Sequence, residues 1–254
     1  MASESMVSPL VAIQRFINRW EMEEEMDRSA WLKERRRLTE EQDDTIYAPI
    51  YDENWGAIDP IHQQVFNRFL GLCPPQGLIL DAACGTGKYW PLILASGRTV
   101  FGIDQSQGML ARAHEKFPDV PIEKVGLQEM RYRETFDGAV CMDALEMVCP
   151  EDWPLVLSNL CGAIKPKGYC YFTVELAAEQ DIENAFAEGQ RLGLPVIYGE
   201  WVQESGYHAE WAQEGVYHYY PKIEQVKEWV RGAQFHLIED TFGDEYHHFL
   251  VQKY

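Results

Sequence analysis

The chain has 254 residues, 46% of them hydrophobic, which is enough to bury a full core and excludes wholesale disorder. A formal net charge of −19 repels phosphates, so no nucleic-acid partner is expected. The length suits one α/β domain with added segments, and no apolar run is long enough for a membrane span.

Residues 1–55 carry helical patterning and are expected to stand outside the sheet as an N-terminal helical segment. Leu10, Ile13, Phe16, Ile17 and Trp20 recur at helical spacing. A charged stretch from Glu21 to Asp44 follows, and its basic run Lys33-Glu34-Arg35-Arg36-Arg37 reads as a solvated helix face. An aromatic connector, Tyr47-Ala-Pro-Ile-Tyr51, closes the segment.

From residue 56 to 254 the text alternates strand-like and helix-like stretches, the pattern of a doubly wound α/β sheet. Gly77–Ala82, Thr99–Ile103, Ile122–Val125, Phe136–Met142 and Tyr169–Val174 read as strands. Ser106 caps a helix whose Met109, Leu110, Ala113 and Phe117 share a face. Glu151 and Asp152 open another, with Trp153, Val156, Leu157, Leu160 and Ile164 on one side. Lys165-Pro-Lys-Gly168 ends it with turn chemistry. Residues 175–220 are too many for an ordinary connection and are expected to form an inserted substrate cap. Pro221–Arg231 reads as a helix stopped at Gly232. Ala233–Asp240 and Tyr246–Gln252 then flank the turn residues Gly243-Asp244, so the last strand should run antiparallel. Cys73, Cys84, Cys141, Cys149, Cys161 and Cys170 form no C-x-x-C pair and mostly sit in apolar runs. This is the usage of a reducing, cytoplasmic compartment.

The chemistry concentrates at Leu80-Asp81-Ala82-Ala83-Cys84-Gly85-Thr86-Gly87-Lys88, after the first strand and before a helix. Glycines there let the backbone turn sharply and approach a ligand. Ligands of open α/β sheets bind beyond the carboxyl ends of the strands, where strand order reverses. Asp104, ending the second strand, can accept both hydroxyls of an adenosine ribose. A nicotinamide dinucleotide fingerprint needs a third small residue, but Trp90 stands at that position.

In Asp81-x-Ala83-x-Gly85-x-Gly87 the sequence resembles the class I S-adenosylmethionine-dependent methyltransferases, and within them the small-molecule enzymes of types 11 and 25. The resemblance covers Ala57 to Tyr254. It implies a Rossmann-like seven-stranded sheet ordered 3-2-1-4-5-7-6 with strand seven antiparallel. It also implies S-adenosyl-L-methionine as cofactor. Asp81 would approach the methionine amino group, Ala83, Gly85 and Gly87 would belong to the cofactor loop, and Asp104 would hold the ribose. Gln105, Met109, Leu127 and Gln128 would border the adenine; many relatives have an acidic residue where Leu127 or Gln128 stands.

The implied activity is in-line methyl transfer to the nitrogen or oxygen of a small molecule. Asp143 and Glu146, after the fourth strand, can bind an amine or accept a proton. The run Tyr217-His218-Tyr219-Tyr220, with Tyr207, His208 and Trp211 before it, suggests a pocket wall with His218 as a base. Tyr47 and Tyr51 would reach the site from the N-terminal helices, which fold over the cofactor as a helical lid in related enzymes. His247-His248 alternate faces, so at most one points inward. No recognised ligand spacing joins Glu245, His247 and His218, so no metal is expected. The alternative is a non-catalytic sensor or scaffold that keeps the cofactor fold.

Overall fold

The computed structural model describes residues 27–203 and 216–254. The helical pattern over Leu10–Trp20 and the trio Tyr207, His208 and Trp211 lie outside the described residues.

Alternating apolar strands that hide both faces, separated by amphipathic helices, dictate a sheet covered on both sides. The seven-stranded sheet contains β1 (Leu78–Ala82), β2 (Thr99–Asp104), β3 (Ile122–Lys124), β4 (Phe136–Cys141), β5 (Ile164–Glu175), β8 (Phe235–Gly243) and β9 (Tyr246–Lys253). Its order is β3-β2-β1-β4-β5-β9-β8. The first five strands pair in parallel; β9 runs antiparallel to both β5 and β8. This is the expected 3-2-1-4-5-7-6 arrangement, with the order reversing between β1 and β4. A separate two-stranded sheet, β6 (Glu200–Gln203) and β7 (Val216–Tyr219), lies in the inserted segment.

The period of two divides the core. Leu80 and Ala82 of β1 join one apolar cluster and Ile79 the other. Asp81 therefore shares the face of Ile79. The helices are α1 (Arg28–Gln42), α2 (Ala48–Trp55), α3 (Pro60–Leu72), α4 (Trp90–Ala95), α5 (Gln107–Lys116), α6 (Trp153–Ala163), α7 (Glu179–Arg191) and α8 (Ile223–Gly232). A single π-helical turn, Asp43–Tyr47, joins α1 to α2.

Two turns differ from their sequence reading. Lys165–Gly168 belongs to β5, as an irregular stretch where the pairing jumps from Ile164 opposite Phe136 to Tyr169 opposite Gly138. Lys167 there has φ +64°, so the turn chemistry is spent on a bulge inside the strand. The final hairpin turns on Asp244-Glu245, not Gly243-Asp244. Both turn residues have positive φ, +55° and +61°, which matches the twist of the flanking strands.

The basic run on α1 is only partly the solvated face expected: Lys33 and Arg37 are exposed, but Arg35 and Arg36 are not. Trp31, Arg35, Thr39 and Gln42 form the buried stripe of α1, and Arg36 pairs with Glu129 at 2.5 Å. Arg28 anchors the start of the helix on Glu200 of β6 (2.7 Å) and on Glu151 (2.6 Å). Glu200 is 1% exposed, and it also accepts the Tyr217 hydroxyl at 2.7 Å and the Ile197 N–H at 2.7 Å.

Downstream, the π turn caps α5. Asp44 Oδ1 accepts the Ser106 hydroxyl at 2.6 Å and the Gly108 N–H at 2.8 Å, while Ser106 Oγ accepts the Met109 N–H at 3.0 Å. A side chain at Gly108 would meet the Asp44 carbonyl oxygen at 2.5 Å, so backbone and cap fit only with glycine there. Replacing Asp44 by alanine orphans two donors and should cost about 1–3 kcal/mol. Urea denaturation should report that loss, and proteolysis within residues 27–55 should accelerate.

Among the described residues no helix is long and apolar enough to cross a membrane. All six cysteines are free thiols.

Candidate active site

Four strand ends and the N-terminal helices meet over one cavity. Ala83 and Gly85 come from the loop after β1, Asp104 from the end of β2, and Gly126 to Gln128 from the loop after β3. Asp143 follows β4, and Arg36, Thr39, Asp43 and Tyr51 come from the helices before the sheet. Ala83, Gly85 and Gly87 have φ of +60°, +52° and +77°. The position of a Gly85 Cβ has no atom within 4 Å, so this loop presents bare backbone to the cavity.

Gly87 does not line the cavity. It makes room for Trp90: an added Cβ would lie 2.8 Å from the indole Cδ2, and one on Gly102 of β2 would lie 2.5 Å from Cζ2. The tryptophan thus fills the helix–strand space that a third glycine keeps open in dinucleotide enzymes. Its Nε1–H donates to Asp81 Oδ2 at 2.8 Å.

Three carboxyls of this cavity shift in the same direction. Burial raises the Asp81 carboxyl to about 7, against the pull of the Trp90 N–H. Burial raises Asp104 to about 6, although its carboxylate accepts the N–H groups of Ser106 and Gly85, both at 2.8 Å. Asp43 rises to about 8, from burial and then from the charges of Asp104 and Asp44. Three carboxyls that resist ionisation around one cavity make a receptor for positive charge and for hydroxyl donors.

Gln105, Met109, Leu127 and Gln128 line the same cavity. Asn159 Nδ2 fixes the β3 loop by donating to the carbonyls of Leu127 (2.9 Å) and Gln128 (3.2 Å), while Gln128 Nε2 donates to Asp152 at 3.3 Å. The Gln128 side-chain oxygen is not used in that bond and stays available to an amino group.

A second cavity of about 500 Å³ shares Tyr51, Lys88, Met109 and Asp143 with the first. Tyr47, Glu146, Glu175, His218 and Tyr246 line it. The two spaces are therefore contiguous, one floored by the glycine loop and the other by the ends of β4 and β5.

Asp143 is not poised as a base. Its Oδ2 lies 3.3 Å from Lys88 Nζ and accepts the Tyr89 hydroxyl at 3.3 Å, while Oδ1 lies 3.3 Å from His62 Nε2 and accepts from Thr173 Oγ1 at 3.3 Å. Burial works to raise it, but His62 and Lys88 prevail and hold the carboxyl below the ordinary aspartate range. A carboxylate so firmly ionised positions its neighbours and takes up no proton near neutrality. Tyr217 and Tyr219 turn away from the second cavity into the core, whereas His218 faces it, as the alternation of β7 requires. His218 Nδ1 lies 3.2 Å from Glu175 and 2.9 Å from the Tyr220 hydroxyl. Glu146 is 5% exposed, and burial followed by the charge of Glu175 raises its carboxyl well above the usual range.

His248 is the inward member of its pair: Nε2 donates to the Gly243 carbonyl at 3.1 Å and Nδ1 accepts from the Tyr171 hydroxyl at 2.9 Å. Burial lowers it to about 4, so it is a neutral core histidine. His247 pairs with Asp240 at 3.3 Å, and His218 with Glu175, so Glu245, His247 and His218 do not converge. Asp59, His62 and Asp244 do come together, their ligand-capable atoms within 4.8 Å of one another. The spacing of these three in the sequence carries no metal pattern.

Arg36, Thr39, Asp43 and Tyr89 belong to the first cavity without having been foreseen. Only the order α1–β1 and the helical step from Arg36 to Thr39 and Asp43 could have signalled the first three.

The family model described as a methyltransferase domain matches residues 79–168. The Bacillus subtilis protein YqeM, which carries a provisional methyltransferase name, is 32% identical over 151 residues, covering 56% of this chain and 60% of its own length. A dTDP-4-amino-2,3,4,6-tetradeoxy-D-glucose N,N-dimethyltransferase of Saccharopolyspora spinosa is 28% identical over 138 residues, covering 49% of this chain and 54% of its own. The chain thus spans little more than half the length of these two relatives. Among solved structures, the magnesium protoporphyrin IX methyltransferase of Synechocystis PCC 6803 with bound S-adenosylhomocysteine superposes with TM-score 0.61 at 15% identity. That match covers 87% of this chain and 100% of the other. The likeness establishes the fold.

Proposed function

We propose, from the chain's membership of the class I S-adenosylmethionine-dependent methyltransferases, that it binds S-adenosylmethionine in the first cavity and methylates a small molecule held in the second. The observation that carries this reading is the convergence of Asp43, Asp81 and Asp104, all with raised pKa, beside the bare Gly85 backbone.

The residues fit that cofactor. Asp81 is placed for the methionine ammonium. Asp104 offers the ribose hydroxyls the lone pairs left by its two backbone bonds. Gln105, Met109, Leu127 and Gln128 enclose the base. The bound cofactor supplies an already activated methyl group on a cationic sulfur. What the chain must contribute is alignment, worth on the order of 7–11 kcal/mol at best. The described helices before the sheet act as a lid, and residues 175–203 and 216–220 as a cap over the acceptor. Six free cysteines, five of them buried, are the usage of a reducing, cytoplasmic setting. The acceptor atom is nitrogen or oxygen, and the acidic walls disfavour an anionic molecule.

Thermal melting with S-adenosylmethionine, S-adenosylhomocysteine, NAD and NADP tests the cofactor. A ligand at about 100 times its Kd adds roughly 2.7 kcal/mol, so the two adenosyl-sulfur ligands should raise Tm by about 5–10 °C and the dinucleotides should not. A shift with dinucleotides alone would overturn the reading. Release of S-adenosylhomocysteine with an added acceptor separates an enzyme from a sensor or scaffold.

Tyr51 faces both cavities, and burial and then Asp143 raise its phenol. Tyr51→Phe should weaken methyl transfer about tenfold while changing cofactor affinity little, the pattern of lost positioning. Full activity in that variant would remove the hydroxyl from the site.

A further inference from the structure

Glu146, Glu175 and His62 line the second cavity with buried polar atoms that have no hydrogen-bond partner among the described residues; His62 Nε2 lies 3.3 Å from Asp143, whereas Glu146 has no ion partner among them. Glu146 sits in the short 3₁₀ turn Leu145–Met147 just after β4, 5% exposed. Its Oε2 is buried and has no hydrogen-bond partner among the described residues. A buried, unpaired carboxyl oxygen costs a fold stability and persists where something outside the chain completes it. Glu175 Oε2 also lacks a hydrogen-bond partner among the described residues, but it differs in having His218 Nδ1 3.2 Å away.

The surroundings fix the sign of the missing partner. Five acidic side chains line this cavity, those of Asp43, Asp59, Asp143, Glu146 and Glu175, against one lysine, Lys88, and the histidines His62 and His218; burial holds Asp43 and Glu146 toward their neutral forms until a cation arrives. That lysine is committed to Asp143 at 3.3 Å. An anionic acceptor would meet the ionised Asp143 with no uncommitted lysine to offset it, whereas a cation lets Glu146 ionise and pairs with its bare oxygen. The rings of Tyr47, Tyr51, Trp55 and Tyr246 line the same space and offer π faces to a cation.

We propose that the methyl acceptor is an amine, bound as an alkylammonium with its nitrogen on Glu146 and its carbon body against the tyrosine and tryptophan rings. This rests on the cofactor reading above. An ammonium has no lone pair, so one N–H proton must first pass to the Glu146–Glu175 pair. The freed nitrogen pair then forms the C–N bond as the methyl C–S bond breaks and its electrons return to sulfur. The products are the N-methylated amine and S-adenosylhomocysteine. Glu175, through His218, gives the transferred proton a route onward.

The test uses the full chain saturated with S-adenosylhomocysteine. Benzylamine, phenethylamine and cyclohexylamine are titrated against benzyl alcohol, 2-phenylethanol, cyclohexanol, benzoate and phenylacetate, with calorimetry as the readout. The amines should bind at least about tenfold tighter than the matched alcohols, and the carboxylates least of all. Glu146→Gln should lose about tenfold or more for the amines and keep S-adenosylhomocysteine affinity within about twofold, which also shows that the variant is folded. Alcohols binding as tightly as amines, amine affinity unchanged in Glu146→Gln, or no amine bound to the loaded protein would each overturn the proposal. Failure of S-adenosylhomocysteine itself to bind is a separate result: it overturns the cofactor reading, and this one with it.

Discussion

Replacing Asp81 with asparagine is expected to make the ligand-free protein more stable at about pH 8 while removing most of its affinity for S-adenosylmethionine. Burial raises this carboxyl from 3.8 to about 7. The folded protein therefore holds a proton that the unfolded chain has already released. The stability contributed by that proton is fully present below about pH 4 and is lost as pH rises through about 7. Asparagine carries no charge to bury, and its Oδ1 can still accept the Trp90 indole N–H. The gain should be on the order of 1–3 kcal/mol at about pH 8 and should vanish toward pH 4. A ligand ammonium would lose its counter-charge in a buried site, which costs about 2–4 kcal/mol, or roughly 30- to 1,000-fold in Kd. Urea titrations of both proteins at several pH values, with calorimetric binding, give the answer. A variant that binds as tightly as the parent would place the amino group elsewhere.

Asp104→Ala should lose the ligand as thoroughly, but with the opposite effect on stability. Asp104 carries structure as well as charge: its two oxygens accept Gly85 N–H and Ser106 N–H. Alanine leaves both donors without that partner, and each orphaned donor costs about 1–3 kcal/mol. Relief of the buried charge offsets part of this, since the carboxyl is raised only to about 6. The net expectation is destabilisation by about 1–3 kcal/mol and a cofactor Kd raised by about 100-fold or more. The contrast between the two variants is informative because a generally damaged cavity would lower stability in both. Full cofactor binding by Asp104→Ala would show that the site lies elsewhere.

The sheet was legible because its signal is apolar. Short buried runs ending at Asp81 and Asp104, a Ser106 cap and a terminal hairpin all follow from burial and turn chemistry. Each stands within a few residues of its reading. The cofactor loop was legible for a related reason: glycines at 85 and 87 allow a left-handed backbone that approaches a ligand, although Gly87 also makes room for Trp90. The N-terminal helix was misread because its buried stripe is polar. Arg35, Thr39 and Gln42 pack inward alongside Trp31, and hydrophobic periodicity does not register them. Tyr217 and Tyr219 were misassigned because an aromatic run has no visible face until a strand partner exists, and β7 takes its register from β6. Asp143 looked reactive in sequence, but Lys88, His62 and Thr173 reach it from three other elements. No local pattern announces them.

Positions 87, 90 and 102 form one steric unit, and that has an evolutionary corollary. The indole of Trp90 occupies the volume that side chains on both glycines would need. A lineage could gain a side chain on the second strand only after the aromatic on the preceding helix had shrunk. It would then also lose the indole donor to Asp81. Homologous sequences should therefore show these three sites drifting together: tryptophan with two glycines, or a smaller residue with bulk regained at one of them.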